Sequence, residues 1–217
     1  MTIESISIIG VVCISLIMIT YIWRNHMLKK LFMYLKREEY SAYLKVLDSF
    51  SCKCLFPVYL RESMRLNVYM LQGDVEKIRN QFYFLLHQIR LTKKQTLDIA
   101  IKAFYFYVDD ENKKEAKDVL NRIKKLSNSE QFIQKCQEIY DVFLEKSSKH
   151  IIYMEQKLTQ LTGVEKGMYH YMLALQYQYE NNISKEMEHL ALASEQLKDT
   201  PYQEKIEEMI TNKKNIT

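Results

Sequence analysis

The stretch Tyr69-Met-Leu-Gln-Gly-Asp-Val-Glu-Lys-Ile-Arg-Asn-Gln-Phe82 (YMLQGDVEKIRNQF) places a glycine and an aspartate between two segments with the composition of helices. Gly73 can adopt the positive φ with which many helices end, and Asp74 can cap the helix that follows. The pair therefore predicts a turn between two helices, and the rest of the chain can be compared with it.

Similar breaks recur along the chain. The 217 residues include only four glycines and two prolines, and apolar residues recur at helical spacing, as at Leu97, Ile101 and Phe104. Candidate breaks, about 35 to 38 residues apart, are Arg37-Glu38, Gly73-Asp74, Asp110-Glu111-Asn112, Ser147-Ser148 and Asn181-Asn182. This spacing is close to the 34-residue period of a helix-turn-helix repeat. The sequence therefore predicts an all-α protein built from pairs of helices.

At these residues the sequence resembles the tetratricopeptide repeat (TPR) family. With Gly73 at the inter-helix turn, the apolar positions of one repeat are filled by Leu66, Tyr69, Ile78, Phe82 and Leu85. Those of the next repeat are filled by Ala103, Phe104, Tyr107, Ala116, Leu120 and Ile123. The register predicts that Ala116 lies where two helices cross and that Ala193, outside the pattern, tolerates change.

The resemblance implies a TPR-like α-solenoid of about five helix pairs over residues 24–200. Residues 201–217 would then form a C-terminal capping helix and a tail. An irregular helical bundle is the alternative architecture.

An uncharged apolar run, residues 5–23 (SISIIGVVCISLIMITYIW), precedes the helical part. About 19 residues of helix can cross a hydrocarbon core of roughly 30 Å. Aromatic and basic residues flank its C-terminal end, namely Trp23, Arg24, Lys29 and Lys30. Because basic residues favour the cytoplasmic side, we expect a single-pass membrane anchor over residues 1–23, with the N-terminus outside and the C-terminal domain cytoplasmic. A cleaved signal peptide is disfavoured, since no Lys or Arg precedes the run.

Composition and motifs argue against catalysis. The net charge of +4 is small, and both signs are mixed along the helices, so nucleic acid is not an expected partner. Cys52-Lys-Cys54 is too closely spaced for an ordinary zinc site, and the five histidines form no metal-ligand motif. The sequence therefore predicts no enzyme activity, no catalytic residue, no metal and no cofactor.

The resemblance implies a concave groove lined by the first helix of each pair. It would direct six side chains into that groove, namely Asn67, Met70, Tyr105, Val108, Met172 and Gln176. The expected function is a membrane-anchored, cytoplasm-facing adaptor or scaffold that binds a protein or peptide partner. The basic flank is expected to contact anionic lipid. The alternative is a non-catalytic accessory subunit of a membrane complex, packed through its transmembrane helix.

Overall fold

The computed structural model describes the backbone of residues 3–214 and the side chains of residues 14–213, and all regular elements within this range are helical. The chain divides into two compact units, Met1–Thr92 and Lys93–Thr217. The first contains α1 (Ile3–Lys36), α2 (Tyr40–Leu47), α3 (Phe50–Leu55), α4 (Val58–Gln72) and α5 (Val75–His87). The second contains α6 (Lys93–Asp109), α7 (Lys113–Leu126), α8 (Glu130–Phe143), α9 (Ile151–Lys157), a 3-10 turn (Leu158–Gln160), α10 (Gly163–Tyr179), α11 (Ile183–Gln196) and α12 (Gln203–Lys214). The all-α prediction is confirmed.

The turn between α4 and α5 has the geometry predicted from its two residues. Gly73 has a φ of 65°, and its N–H donates to the carbonyl oxygen of Met70 at 3.2 Å. The N–H of Asp74 donates to the carbonyl oxygen of Tyr69 at 3.3 Å, and its carboxylate accepts from the N–H of Lys77 at 3.1 Å. The glycine therefore ends α4 and the aspartate caps α5.

A residue in the left-handed conformation lies within four of the predicted breaks and directly before the fifth, Ser147-Ser148. Positive φ values of 51° to 65° occur at Glu38, Gly73, Glu111, Lys146 and Asn181, which follow one another at intervals of 35, 38, 35 and 35 residues. Two further residues with positive φ, Gly163 and Asp199, lie outside this series. The predicted breaks therefore lie where α1, α4, α6, α8 and α10 end.

Asparagine takes the place of Asp74 at two of these turns. The side chain of Asn112 accepts from the N–H of Glu115 at 3.3 Å, and that of Asn182 accepts from the N–H of Lys185 at 3.2 Å. An Asn or Asp side chain satisfies one of the free N–H groups at a helix start and stabilises it by about 1 kcal/mol. Local chemistry therefore decides where α5, α7 and α11 begin.

The first unit has its core where the C-terminal half of α1 packs against α2 and α3. Its buried side chains include Met27, Leu31, Tyr43, Leu47 and Cys52. The Arg24 guanidinium lies over the Phe56 ring, 5.6 Å from the ring centroid, and so joins the end of α3 to α1.

The N-terminal half of α1 has no protein cover where its side chains are described. From Ile14 to Trp23 every residue is exposed, with large apolar side chains 46% to 66% exposed. No helix in the described part of the chain has the length and apolar character needed to cross a membrane. Residues 5–13 of the predicted anchor, including Cys13, lie outside the side chains that the structure describes.

The second unit is built around the α6–α7 and α10–α11 pairs. Ala116 on α7 and Ala193 on α11 are both fully buried. Burial gives no support to the prediction that Ala193 accepts change more readily than Ala116, because Ala193 is as buried as Ala116 and lies one turn beyond buried Leu190. The two helices approach closely, since a Cβ added at Gly167 would lie 2.8 Å from Cγ of Leu197.

Candidate functional site

The six predicted partner-binding residues fall into two groups by exposure. Asn67 and Met70 are exposed on α4, and on α6 Tyr105 is 41% exposed while Val108 is partly buried. These four side chains are therefore accessible, and their role in partner binding stays a prediction.

Met172 and Gln176 on α10 are buried, so the expectation that they face an open groove needs correction. The Gln176 amide nitrogen donates to Sδ of Met154 at 3.2 Å and to the carbonyl oxygen of Met172 at 3.3 Å. Its amide oxygen accepts from the N–H of His150 at 3.0 Å. Because α9 and the residue before it cover this part of α10, neither side chain can contact a partner in this conformation.

The connection that carries α9 is fixed by a buried carboxylate. Asp141 accepts hydrogen bonds from Nε2 of His150 at 2.9 Å, from Nζ of Lys149 at 2.8 Å and from the Gln137 amide at 2.8 Å. Burial raises the pKa of Asp141, but these hydrogen bonds outweigh it and hold the pKa below its usual value. The Asp141–His150 pair therefore acts as a clamp on the chain between α8 and α9.

A cluster of tyrosines in the second unit comes from α6, from α10 and from the turn before α12. We define the tyrosine cluster as Tyr105, Tyr171, Tyr179 and Tyr202. The Tyr171 ring lies 5.9 Å from that of Tyr202 and 5.8 Å from that of Phe143, measured between centroids. Tyr105 and Tyr202 are partly exposed, whereas Tyr171 is fully buried. The cluster therefore has two accessible rings, Tyr105 and Tyr202, and a buried aromatic contact between Tyr171 and Phe143.

The hydroxyl groups of this cluster differ in their partners. Tyr179 donates to the carbonyl oxygen of Val142 at 2.9 Å, but the buried Tyr171 hydroxyl has no hydrogen-bond partner among the described residues. Burial raises the pKa of Tyr105, and the nearby Cys136 and Tyr202 add to this effect. Burial likewise raises the pKa of the Cys136 thiol to about 11. The tyrosines of the cluster are therefore uncharged at neutral pH, and the Tyr171 hydroxyl is buried without a hydrogen-bond partner among the described residues.

A second buried polar pair lies between α10 and α11. Nδ1 of His170 and Nδ1 of His189 are 2.9 Å apart, and the His189 ring stacks on Tyr177 with the planes at 10°. One Nδ1 must donate and the other accept. Nε2 of His189 is buried and has no hydrogen-bond partner among the described residues. We assign the donor to His189, because its Nε2 is then a bare acceptor and no N–H is left buried without a partner.

Burial keeps both histidines neutral. The pKa of His170 is lowered to about 4, mainly by burial and also by His189 and Lys166, against a smaller opposing effect of Glu188. The pKa of His189 is also lowered, again mainly by burial. The pair is therefore a packing contact that depends on both rings staying unprotonated.

Within the described residues, no three His, Cys, Asp or Glu side chains lie close enough together to hold a metal ion. Comparison of the chain with protein-family models, with curated proteins and with solved structures found no match.

Sequence reasoning found part of this site. It singled out Tyr105, but it missed Tyr202. Tyr202 directly follows Pro201 at the predicted start of a helix. The sequence marks Tyr202 as lying at a helix start, but nothing in the sequence indicates that its ring lies beside Tyr171.

Proposed function

We propose that the protein is a membrane-anchored, non-catalytic scaffold whose helical-repeat domain binds a segment of a protein partner. The observation that carries the proposal is the accessible tyrosine cluster of the second unit. It combines two partly exposed rings with a buried hydroxyl that has no partner among the described residues.

The series of left-handed residues supports the repeat architecture. Four turns, at Glu38, Gly73, Glu111 and Asn181, share one backbone pattern, in which the left-handed N–H and the next N–H donate back to the helix that ends there. Their spacing in multiples of 35 to 38 residues fits a TPR-like repeat. The turn at Lys146 differs, because the N–H of Ser147 reaches back to the carbonyl oxygen of Asp141 at 3.0 Å.

The membrane anchor is supported by the exposure of α1. Each large apolar side chain left in water forgoes about 1.5–3 kcal/mol of burial free energy, and the exposed segment from Ile14 to Trp23 contains eight of them. Arg24, Lys29 and Lys30 follow directly and are also exposed. A bilayer would cover the apolar segment, and its cytoplasmic surface would attract the basic residues. This orientation leaves the helical domain on the cytoplasmic side.

The tyrosine cluster has the composition of a binding site for a protein segment. Tyrosine presents a large rigid ring and a polar tip, and buried aromatic anchors can contribute 2 kcal/mol or more to an interface. An apolar side chain of the partner can cover the exposed rings of Tyr105 and Tyr202, while the fully buried Tyr171 ring packs against Tyr202 from the protein side. Since Tyr202 precedes α12, the loop before that helix can adjust to the bound segment.

Affinity capture tests this function. The full chain is purified from detergent-solubilised membranes as wild type, as Tyr105→Ala and as Tyr83→Ala, and bound proteins are identified by mass spectrometry. Tyr83 lies on α5 and is 57% exposed, so it is a matched surface tyrosine. We expect Tyr105→Ala to lose a protein that wild type and Tyr83→Ala both retain. Equal recovery with all three chains would contradict the proposal.

A further inference from the structure

The short helix α3 has an exposed face that the first unit does not bury. Phe50, Lys53 and Cys54 lie at i, i+3 and i+4 and are all exposed, whereas Cys52 on the opposite face is fully buried. Phe50 is 81% exposed, the highest value among the large apolar side chains described. This face therefore presents an aromatic ring and a lysine side by side without protein cover.

The position of α3 in the first unit places this face near the end of the exposed apolar segment of α1. The Arg24 guanidinium lies 5.6 Å from the centroid of the Phe56 ring, and Arg24 is the residue directly after Trp23. A helix rises about 1.5 Å per residue, so Phe50 lies within about 10 Å of Phe56 along α3. Phe56 therefore lies beside the residue that ends the apolar segment, and Phe50 lies at the other end of α3, within about 10 Å of Phe56.

The surroundings of α3 are basic. Residues 24–56 include seven Lys or Arg and three Asp or Glu. One of those acidic residues, Asp48, is paired with Arg65, whose Nη2 lies 2.6 Å from Oδ1. Burial raises the pKa of the Cys52 thiol, against smaller opposing effects of a hydrogen bond with Ser49 and of the nearby Arg61 and Lys30. The net positive charge of residues 24–56 therefore complements an anionic surface.

We infer that the Phe50 face of α3 is a second contact with the membrane, which inserts the Phe50 ring at the headgroup level of an anionic bilayer. Aromatic rings flanked by basic side chains favour that level. Anionic lipid is favoured over a protein partner for two reasons. The C-terminal end of α3 contacts Arg24, which directly follows the exposed apolar segment of α1, and Lys53 on the Phe50 face has the same sign of charge as the basic residues after that segment. The inference rests on the proposed membrane anchor, and it adds that the first unit lies against the bilayer surface.

Tryptophan quenching tests the inference, because the wild-type chain contains one tryptophan, Trp23. The full chain is reconstituted into vesicles of brominated phosphatidylcholine, with and without phosphatidylglycerol. Three chains are compared: wild type, Trp23→Phe with Phe50→Trp, and Trp23→Phe with Tyr83→Trp. Tyr83 is an exposed aromatic residue on α5, which packs against α4, and it serves as the control. Phe50 is exposed enough that its replacement disturbs no core contact.

We expect the brominated lipid to cause loss of emission in the wild type and in the Phe50→Trp chain, and none in the Tyr83→Trp chain. The loss at position 50 should be larger when phosphatidylglycerol is present. Quenching of Trp23 without quenching at position 50 would overturn the inference and leave the anchor standing. Absence of quenching at both positions would overturn the anchor together with the inference. Equal quenching at positions 50 and 83, or equal loss with and without phosphatidylglycerol, would also contradict a specific anionic contact.

Discussion

The buried histidine pair predicts that the second unit loses stability as the pH falls. The folded pKa of His170, about 4, lies below the value of about 6.5 expected in the unfolded chain. The stability that neutral His170 contributes is therefore fully present above about pH 6.5 and is lost as the pH falls towards 4. For His170 alone, the free energy of unfolding should decrease by about 2 kcal/mol between about pH 7.5 and 5. His189, whose pKa is also lowered, adds to the decrease in the same direction.

The variant His170→Asn isolates this effect. The asparagine oxygen can take the acceptor position of Nδ1 and cannot gain a proton in this range. The charges that face the pair from α9, α10 and α11, namely Glu155, Lys166, Lys185 and Glu188, are unchanged in the variant. The variant should therefore lose about 2 kcal/mol less than the wild type over the same interval. His87→Asn, at an exposed histidine on α5, should match the wild type.

Native-state hydrogen exchange of the α10 and α11 amides provides the assay, because it reports the opening free energy of this pair even if the first unit unfolds separately. Protection should fall in the wild type and in His87→Asn as the pH is lowered, after correction for the intrinsic exchange rate. It should fall less in His170→Asn. If the wild type and His170→Asn lose the same protection, the neutral-pair interpretation is refuted.

Three further predictions concern the turns, the packing and the topology. Gly73→Ala should lower the free energy of unfolding by about 1–2 kcal/mol, because a φ of 65° is unfavourable for a residue with a Cβ. Gly73→Asn should lower it by less, because asparagine tolerates this conformation, as Asn181 does in this chain. Urea unfolding of the two variants checks the order, and equal losses would contradict it. Ala116→Trp should destabilise the second unit by about 1–3 kcal/mol, because the larger side chain overpacks a fully buried position. The change should lower the melting temperature, and an unchanged melting temperature would show that the site is not tightly packed. A reporter enzyme fused after Thr217 should be active only on the cytoplasmic side, and activity on the other side would rule out the proposed orientation.

The helix breaks could be predicted because they depend on neighbouring residues. Gly73 and Asp74 hold their own turn through backbone geometry and one side-chain hydrogen bond, and Asn112 and Asn182 repeat the same chemistry. No distant part of the chain is needed for this outcome. For the same reason, the spacing of the breaks was visible in the sequence.

The burial of particular side chains could not be predicted, because it depends on elements distant in the sequence. Gln176 is covered by α9, a short helix that the repeat pattern does not contain. Phe32 follows the apolar spacing of α1 but is 67% exposed, since the neighbouring Leu31 occupies the core. Tyr202 reaches Tyr171 although 31 residues separate them in the sequence. Periodicity identifies a helix face, but tertiary packing decides what covers it.

The division of the chain at Thr92 is a further feature that the repeat pattern did not indicate. The turn residues recur at nearly the same interval on both sides of this boundary, so the sequence suggests one continuous array. The short segment between α5 and α6, residues 88–92, contains no glycine or proline that would mark a linker.

Site-specific photo-crosslinking in intact membranes tests the central proposal most directly. The photoreactive residue p-benzoylphenylalanine replaces Tyr105 in one chain and Tyr83 in another, so both probes stand at exposed tyrosine positions. We predict that irradiation joins position 105 to one defined protein, that position 83 yields no such product, and that Tyr202→Ala alters the yield at position 105. Identical product patterns at positions 105 and 83, or no product at position 105, would contradict a partner-binding role for the tyrosine cluster.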